Sequence, residues 1–314
     1  MLSTSALQSI SVGNGGDTVP WTYLKDSFSS VILRCGSSLT KFGSPTPLTN
    51  AAIYHLIQLP RLRSLWVGYP PPNYSASSLP FAFSPLTKLT LRGDVARGWI
   101  SLLKHAEDHF SATQGVTPLS QVKGSLESLR VEATLSPLLD VSFTSRIQMF
   151  CNLVTLDIGV RCHDESGEGQ CAFELDDDDA AELAMALPQL KHLFLGPPCF
   201  ENTCATTVAC LLPIAVYCPN LKELQIHFNT ENIVDDLEEI SENPRFRELQ
   251  LLPRCTLTYL DVWETPLIVG EDDFETVVDW MAEIFPSLEL PREFGGSWDK
   301  VGRRIAERRT EGHR

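Results

Sequence analysis

The chain has 314 residues, 43% of them hydrophobic, and a net charge of −15 that comes from 40 Asp and Glu against 25 Lys and Arg. This apolar fraction is sufficient for a folded core, which excludes an intrinsically disordered chain, and no apolar run reaches the length of a membrane span. The excess of negative charge also disfavours a general nucleic-acid binder, because phosphate contacts require a cationic surface.

A short pattern recurs along the chain: an apolar residue, two variable residues, an apolar residue, one variable residue and an apolar residue. A degenerate copy begins at Leu7 and a poorer one at Leu39. Seven clear copies follow at 62–67, 86–91, 126–131, 153–158, 190–195, 221–226 and 257–262. The last two apolar positions alternate with variable ones, which is the period of a short strand with one buried face. The pattern therefore predicts up to nine short strands at uneven spacing.

Apolar residues at helical spacing predict helices between several of these strands. The predicted helices are 50–59 before Pro60, 179–187 before Pro188, 206–217 interrupted by Pro213, and 274–285. Residues 297–309 have a further apolar helical stripe, and we expect them either to cover the last repeat or to form a loose basic tail. Strands that alternate with helices predict a parallel sheet with helices behind it.

Two segments carry a resemblance to a known family: Leu187-Pro-Gln-Leu190-Lys-His-Leu193 and Cys218-Pro-Asn-Leu221-Lys-Glu-Leu224. They resemble the repeats of fungal F-box proteins with leucine-rich repeats. This resemblance implies an α/β leucine-rich-repeat solenoid of irregular repeat lengths, with a curved parallel sheet on the concave side and helices on the convex side. The implied organisation is a solenoid over residues 1–290 with an acidic insertion near 160–178, followed by a basic C-terminal helix or tail at 291–314.

The same resemblance implies a non-catalytic protein-interaction module, the substrate-recognition part of a Skp–cullin–F-box ubiquitin ligase. An F-box precedes the repeats in that family, whereas the first repeat begins at Leu7 here, so we expect this chain to lack the F-box and to reach the Skp adaptor and cullin indirectly. Two other functions stay open. One is a small-GTPase regulator similar to the Ran GTPase activator, although that family implies regular repeats and an acidic tail. The other is a structural scaffold without a ubiquitin role.

The residues that alternate with the buried positions are expected to point to the concave side. Arg, Trp and Tyr, which dominate binding hot spots, occur among them. The predicted partner-binding residues are Trp66, Arg92, Arg130, Asp157, Phe194, His227, Tyr259, Asp261 and Trp263. The alternative is that Trp66, Phe194 and Trp263 are covered by the insertions or by the C-terminal segment.

The acidic run Asp176–Asp179 has two interpretations. Hard cations require oxygen ligands that converge from a loop, whereas adjacent carboxylates fan outward. Carboxylates are also favoured at helix N-termini, where they cap backbone amides and oppose the helix dipole. We therefore predict that this run begins the helix that follows it.

Two further groups could suggest metal chemistry. His105 and His109 are spaced by one helical turn, but the Glu of a His-Glu-x-x-His protease motif and a third ligand are missing. Cys162, His163 and Cys171 lie in the acidic insertion without zinc-site spacing. No nucleophile motif occurs. We therefore expect no catalytic residue, metal or cofactor, and a protein partner in place of nucleic acid or a membrane.

The nine cysteines include no C-x2-C pair, and the N-terminal segment lacks the basic start and apolar run of a secretory signal. We therefore expect an intracellular protein, cytoplasmic or nuclear, with reduced thiols. Because Cys151, Cys210, Cys218 and Cys255 have apolar neighbours in sequence, we predict that all four are buried in the core.

Overall fold

The computed structural model describes residues 7–12, 25–45, 48–68, 86–93, 125–134, 147–148, 150–161, 175–196, 205–242, 255–262, 267, 269–289 and 297–311. Over these ranges the chain is an α/β protein with nine strands, whose order in the sheet follows their order in the chain. The predicted α/β class with parallel strands is confirmed. The chain divides into unit 1, Met1–Leu138 with Gly159–His163, and unit 2, Leu139–Ile158 with Asp164–Arg314.

Unit 1 is built on five parallel strands. Its described elements are β1 (Ser9–Ser11), α1 (Lys25–Ile32), β2 (Lys41–Ser44), α2 (Asn50–Gln58), β3 (Ser64–Gly68), β4 (Lys88–Gly93) and β5 (Ser128–Thr134). The strand register places Ile10, Phe42, Leu65, Leu89 and Leu129 in one row. All of these except Ile10 are buried. The apolar positions of the recurring pattern thus form the core of unit 1.

Unit 2 repeats the same construction. Its elements are β6 (Thr155–Arg161, of which residues 155–158 belong to this unit), α3 (Asp177–Ala186), β7 (His192–Leu195), α4 (Leu211–Tyr217), β8 (Glu223–Ile226), α5 (Ile233–Glu242), β9 (Tyr259–Asp261), α6 (Glu271–Ile284) and α7 (Ser297–Glu311). The register aligns Leu156, Leu193, Leu224 and Leu260, and all four are buried. The predicted register of these strands is therefore confirmed.

A recurring turn precedes many of the strands. The N–H of the first leucine of the pattern donates to the carbonyl of an apolar residue three positions earlier. This bond joins Leu62 to Leu59 (3.2 Å), Leu153 to Phe150 (3.0 Å), Leu190 to Leu187 (3.2 Å), Leu221 to Cys218 (3.0 Å) and Leu288 to Phe285 (3.0 Å). Proline follows the acceptor in four of the five turns, which stops the preceding helix. After the last turn, Glu289 forms a parallel bridge with Tyr259.

Three predicted helices begin at other residues in the structure. The helix predicted at 274–285 begins at Glu271. The helix predicted at 179–187 begins at Asp177, where the acidic run starts it. Pro213, predicted to interrupt the helix at 206–217, lies in the first turn of α4, where a missing N–H costs no helical hydrogen bond. A short 3-10 turn, Val208–Cys210, precedes α4, and the Thr207 side chain caps it by accepting from the Ala209 amide at 3.1 Å.

The C-terminal basic segment forms a helix, α7, within unit 2. Its apolar stripe of Trp298, Val301 and Ile305 is buried, and the Trp298 ring meets Phe228 edge-on with 5.8 Å between ring centroids. The α7 arginines reach the acidic helix α6. Arg304 binds Glu275 at 3.2 Å, and Arg308 pairs with Glu275 and Asp279. Part of the positive charge of this segment is thus paired inside the unit.

Candidate functional site

The acidic run at the start of α3 caps the helix, as predicted. Asp176 accepts from the Asp179 amide at 2.8 Å, and Asp179 accepts in return from the Asp176 amide at 3.5 Å. Burial raises the pKa of the Asp179 carboxyl, and the neighbouring carboxylates act in the same direction. Asp177 accepts from the Thr207 amide at 2.8 Å and from the Thr207 hydroxyl at 2.7 Å, which ties α3 to the next turn.

The other groups considered for metal chemistry, His105 with His109 and Cys162 with His163 and Cys171, lie outside the described residues. Within the part of the chain that the structure does describe, no three His, Cys, Asp or Glu side chains converge as a metal site would require. Over the same residues, no helix is both long enough and apolar enough to cross a membrane.

The cysteines agree only in part with the prediction. Cys210, Cys218 and Cys255 are buried, but Cys151 is exposed because it occupies the turn position that proline takes in the neighbouring repeats. Burial raises the pKa of the Cys218 thiol to about 12 and that of the Cys255 thiol to about 11. The Cys255 thiol donates to the Cys218 carbonyl with Sγ and O 3.5 Å apart. These two buried thiols therefore stay protonated and unreactive at neutral pH.

The sheet face of unit 2 opposite the buried leucine row presents two rows of aligned side chains. One row is Thr155, His192, Glu223 and Tyr259, and the other is Asp157, Phe194, Gln225 and Asp261. Contacts between neighbouring strands hold these side chains in place. His192 Nδ1 lies 3.0 Å from Glu223 Oε2, and Gln225 Nε2 donates to Asp261 Oδ2 at 3.0 Å. The face is thus an ordered array of polar and aromatic groups.

The predicted binding residues of unit 2 differ in exposure. Tyr259 is 37% exposed, and Asp157, Phe194 and His227 are half-buried. Asp261 is only 5% exposed, so it offers a partner little direct contact, and its Oδ2 accepts from Gln225. Burial lowers the pKa of His227, which keeps its ring neutral at physiological pH.

The corresponding face of unit 1 has a different character. Its two rows of register partners are Ser9, Lys41, Ser64, Lys88 and Ser128, and Ser11, Gly43, Trp66, Thr90 and Arg130. Trp66 is half-buried, while Arg130 is 53% exposed and pairs with Glu132 at 2.8 Å. Two predicted binding residues cannot be placed on either face: the side chain of Arg92 in β4 and the whole of Trp263 lie outside the described residues.

Two glycines of the unit 1 face are fixed by close contacts. A Cβ on Gly43 would lie 2.9 Å from Cε3 of Trp66, so the indole lies over the neighbouring strand. A Cβ on Gly68 would lie 2.5 Å from the carbonyl oxygen of Pro45, which is backbone and cannot rotate away. Gly68 is therefore covered by the segment that follows β2, although the alternation of the pattern assigns it to the exposed face.

No protein-family model matches the chain, and no curated protein matches it either. The two sheet faces combine aromatic side chains, charged groups and hydrogen-bonded pairs on a regular pleated surface. Lys41 is not among the predicted partner-binding residues, because the copy of the pattern that contains β2 is incomplete.

Proposed function

We propose that this chain is a non-catalytic protein-interaction module that binds a protein partner on the open sheet face of its strands. The observation that carries the proposal is the face of unit 2, where the aromatic side chains Phe194 and Tyr259 stand beside side chains paired across strands. Paired side chains have already lost much of their rotational freedom, so ordering them on binding a partner costs less conformational entropy.

A more specific role is suggested by the sequences of the turns that precede the strands. The turns Leu187-Pro-Gln-Leu190 and Cys218-Pro-Asn-Leu221 resemble those of fungal F-box proteins with leucine-rich repeats, and each turn sets the register of the next strand. The proposed role is therefore substrate recognition for a Skp–cullin–F-box ubiquitin ligase, in which this chain supplies the recognition surface. Its link to the Skp adaptor and cullin is then indirect, through another component.

The test compares two double variants in a pull-down from a fungal lysate, quantified by mass spectrometry. Phe194→Ser with Tyr259→Ser removes the aromatic side chains from the sheet face. Met185→Ser with Tyr217→Ser is the matched control, because these side chains are 50% and 40% exposed on helices α3 and α4. Circular dichroism checks that each variant is folded.

The expected result is a protein that wild type and the control retain and that the face variant retains about tenfold less, which is equivalent to about 1.4 kcal/mol. Equal retention by both variants would reject the sheet face as the binding site. The Skp adaptor and cullin should accompany that protein. If they are absent while the partner is still bound, the ubiquitin role is rejected and the binding role stands.

A further inference from the structure

The sheet face of unit 1 is cationic although the whole chain has a net charge of −15. Lys41 on β2 and Lys88 on β4 belong to the same row, and both side chains are exposed. Neither lysine forms an ion pair with any residue in the described ranges, whereas Arg130 on the same face is held by Glu132. Among the side chains of this face that the structure describes, the two lysines are therefore positive charges available to a ligand.

The spacing of the two lysines is fixed by the sheet. Ser64 on β3 lies between them in the row, so the lysines are two strands apart. Their backbone positions are therefore about 10 Å apart, at a strand spacing of about 4.8 Å. The register neighbours of both lysines in the row are serines, Ser9 and Ser64 for Lys41 and Ser64 and Ser128 for Lys88. An anionic ligand that satisfies both must present two negative groups at a similar distance.

An aromatic surface lies next to the midpoint between the lysines. Trp66 is on β3, two residues beyond Ser64, and its indole rests on Gly43 of β2. Its register partner on the other side is Thr90, a small residue. The face therefore offers one aromatic ring on the strand between the two lysine-bearing strands, with Gly43 and Thr90 as its register partners.

We propose that this face of unit 1 binds an acidic, proline-rich segment of the partner protein in the polyproline II conformation. That conformation has three residues per turn and a rise of about 3.1 Å per residue, so carboxylates three residues apart are about 9 Å apart on one side. This distance matches the spacing of Lys41 and Lys88. Proline rings between the carboxylates pack on Trp66, as they do on aromatic surfaces in other polyproline complexes.

This inference rests on the proposed function and adds the chemistry of the partner. Its test uses the full chain and a fluorescein-labelled peptide, (Glu-Pro-Pro)4, in fluorescence anisotropy titrations. The variant Lys41→Glu with Lys88→Glu reverses both charges on the face. The matched control, Arg34→Glu with Arg61→Glu, makes the same change in charge at exposed turn residues that follow α1 and α2.

Wild type should bind (Glu-Pro-Pro)4 about tenfold more tightly than (Lys-Pro-Pro)4, and the affinity should fall with added salt because exposed charges are screened. The lysine variant should lose about tenfold, and the arginine control less than about threefold. Equal loss in both variants, or no measurable binding by wild type, would overturn the inference. Tighter binding of a twelve-residue oligo(dT) than of the acidic peptide would also overturn it.

The outcomes separate this inference from the proposed function. If the lysate partner depends on Phe194 and Tyr259 but the acidic peptide does not bind, the proposed function stands and the inference about unit 1 is wrong. If the peptide binds through Lys41 and Lys88 while no lysate protein depends on the unit 2 face, the inference stands and the proposed site on unit 2 is wrong.

Discussion

Replacing Leu193 with alanine tests the strand register on which both sheet faces depend. Leu193 is 1% exposed in β7, and its register partners Leu156 and Leu224 are fully buried. Truncation removes buried carbon atoms and leaves a cavity between packed neighbours, so we expect a loss of about 3 kcal/mol in the free energy of unfolding. The adjacent residue supplies the control. His192 is 33% exposed and pairs with Glu223 at 3.0 Å, so His192→Ala should cost less than about 1 kcal/mol.

Urea unfolding followed by circular dichroism measures both losses, with the midpoint expected to shift and the slope to stay constant. A larger loss of unfolding free energy for His192→Ala than for Leu193→Ala would contradict the strand register. Because side chains alternate along a strand, that result would mean that the register is shifted by one residue and that His192 faces the core. The assignment of every residue on the β7 face would then be reversed.

Three further predictions concern single residues. Gly68→Ala should destabilise the chain by about 1–3 kcal/mol, because its Cβ would collide with the backbone of Pro45. The control Gly159→Ala should not destabilise it, because the nearest atom to its Cβ would be 3.9 Å away. Equal thermal unfolding midpoints for the two variants would contradict this. Iodoacetamide at about pH 8 should label Cys151 in the folded chain and Cys218 only after unfolding, as peptide mass mapping would show. Equal labelling rates of the two thiols in the folded chain would contradict this prediction. Because burial lowers the pKa of His227 below 6.5 in the folded chain, its neutral ring contributes fully to the free energy of unfolding above that pH, and this contribution falls as the pH is lowered below it. Urea unfolding at several pH values measures this dependence, and His227→Gln should make it flatter. An unchanged slope would show that His227 is not the cause.

The strands could be predicted because a buried ladder requires apolar residues at fixed positions in every repeat. The turn at Leu288 and the bridge at Glu289 were not predicted, because the six residues that begin at Leu288 do not follow the recurring pattern. The missing signal is the sequence Phe285-Pro-Ser-Leu288, which has the apolar-Pro-x-Leu form of the turns at 187–190 and 218–221. The N-terminal bound of α3 depends on the capping contacts between Asp176 and Asp179, which apolar spacing does not report.

The faces were less predictable than the strands. Alternation shows which side of a strand a residue occupies, but exposure depends on contacts from residues distant in sequence. Asp261 is buried beside Gln225, which lies 36 residues earlier, and Gly68 is covered by the backbone of Pro45. Cys151 has apolar neighbours in sequence but is exposed in a turn. Such outcomes follow from the pairing of strands and the paths of turns, which a local pattern does not contain.

Site-specific photo-crosslinking tests the proposed binding face most directly. Benzoylphenylalanine is placed at position 194 on β7 or, as the control, at position 185 on α3, and each protein is irradiated with the captured partner. If the sheet face binds the partner, Phe194→benzoylphenylalanine gives a crosslinked band and Met185→benzoylphenylalanine does not. Crosslinking at position 185 but not at position 194 would place the partner on the helices and reject the sheet face as the binding site.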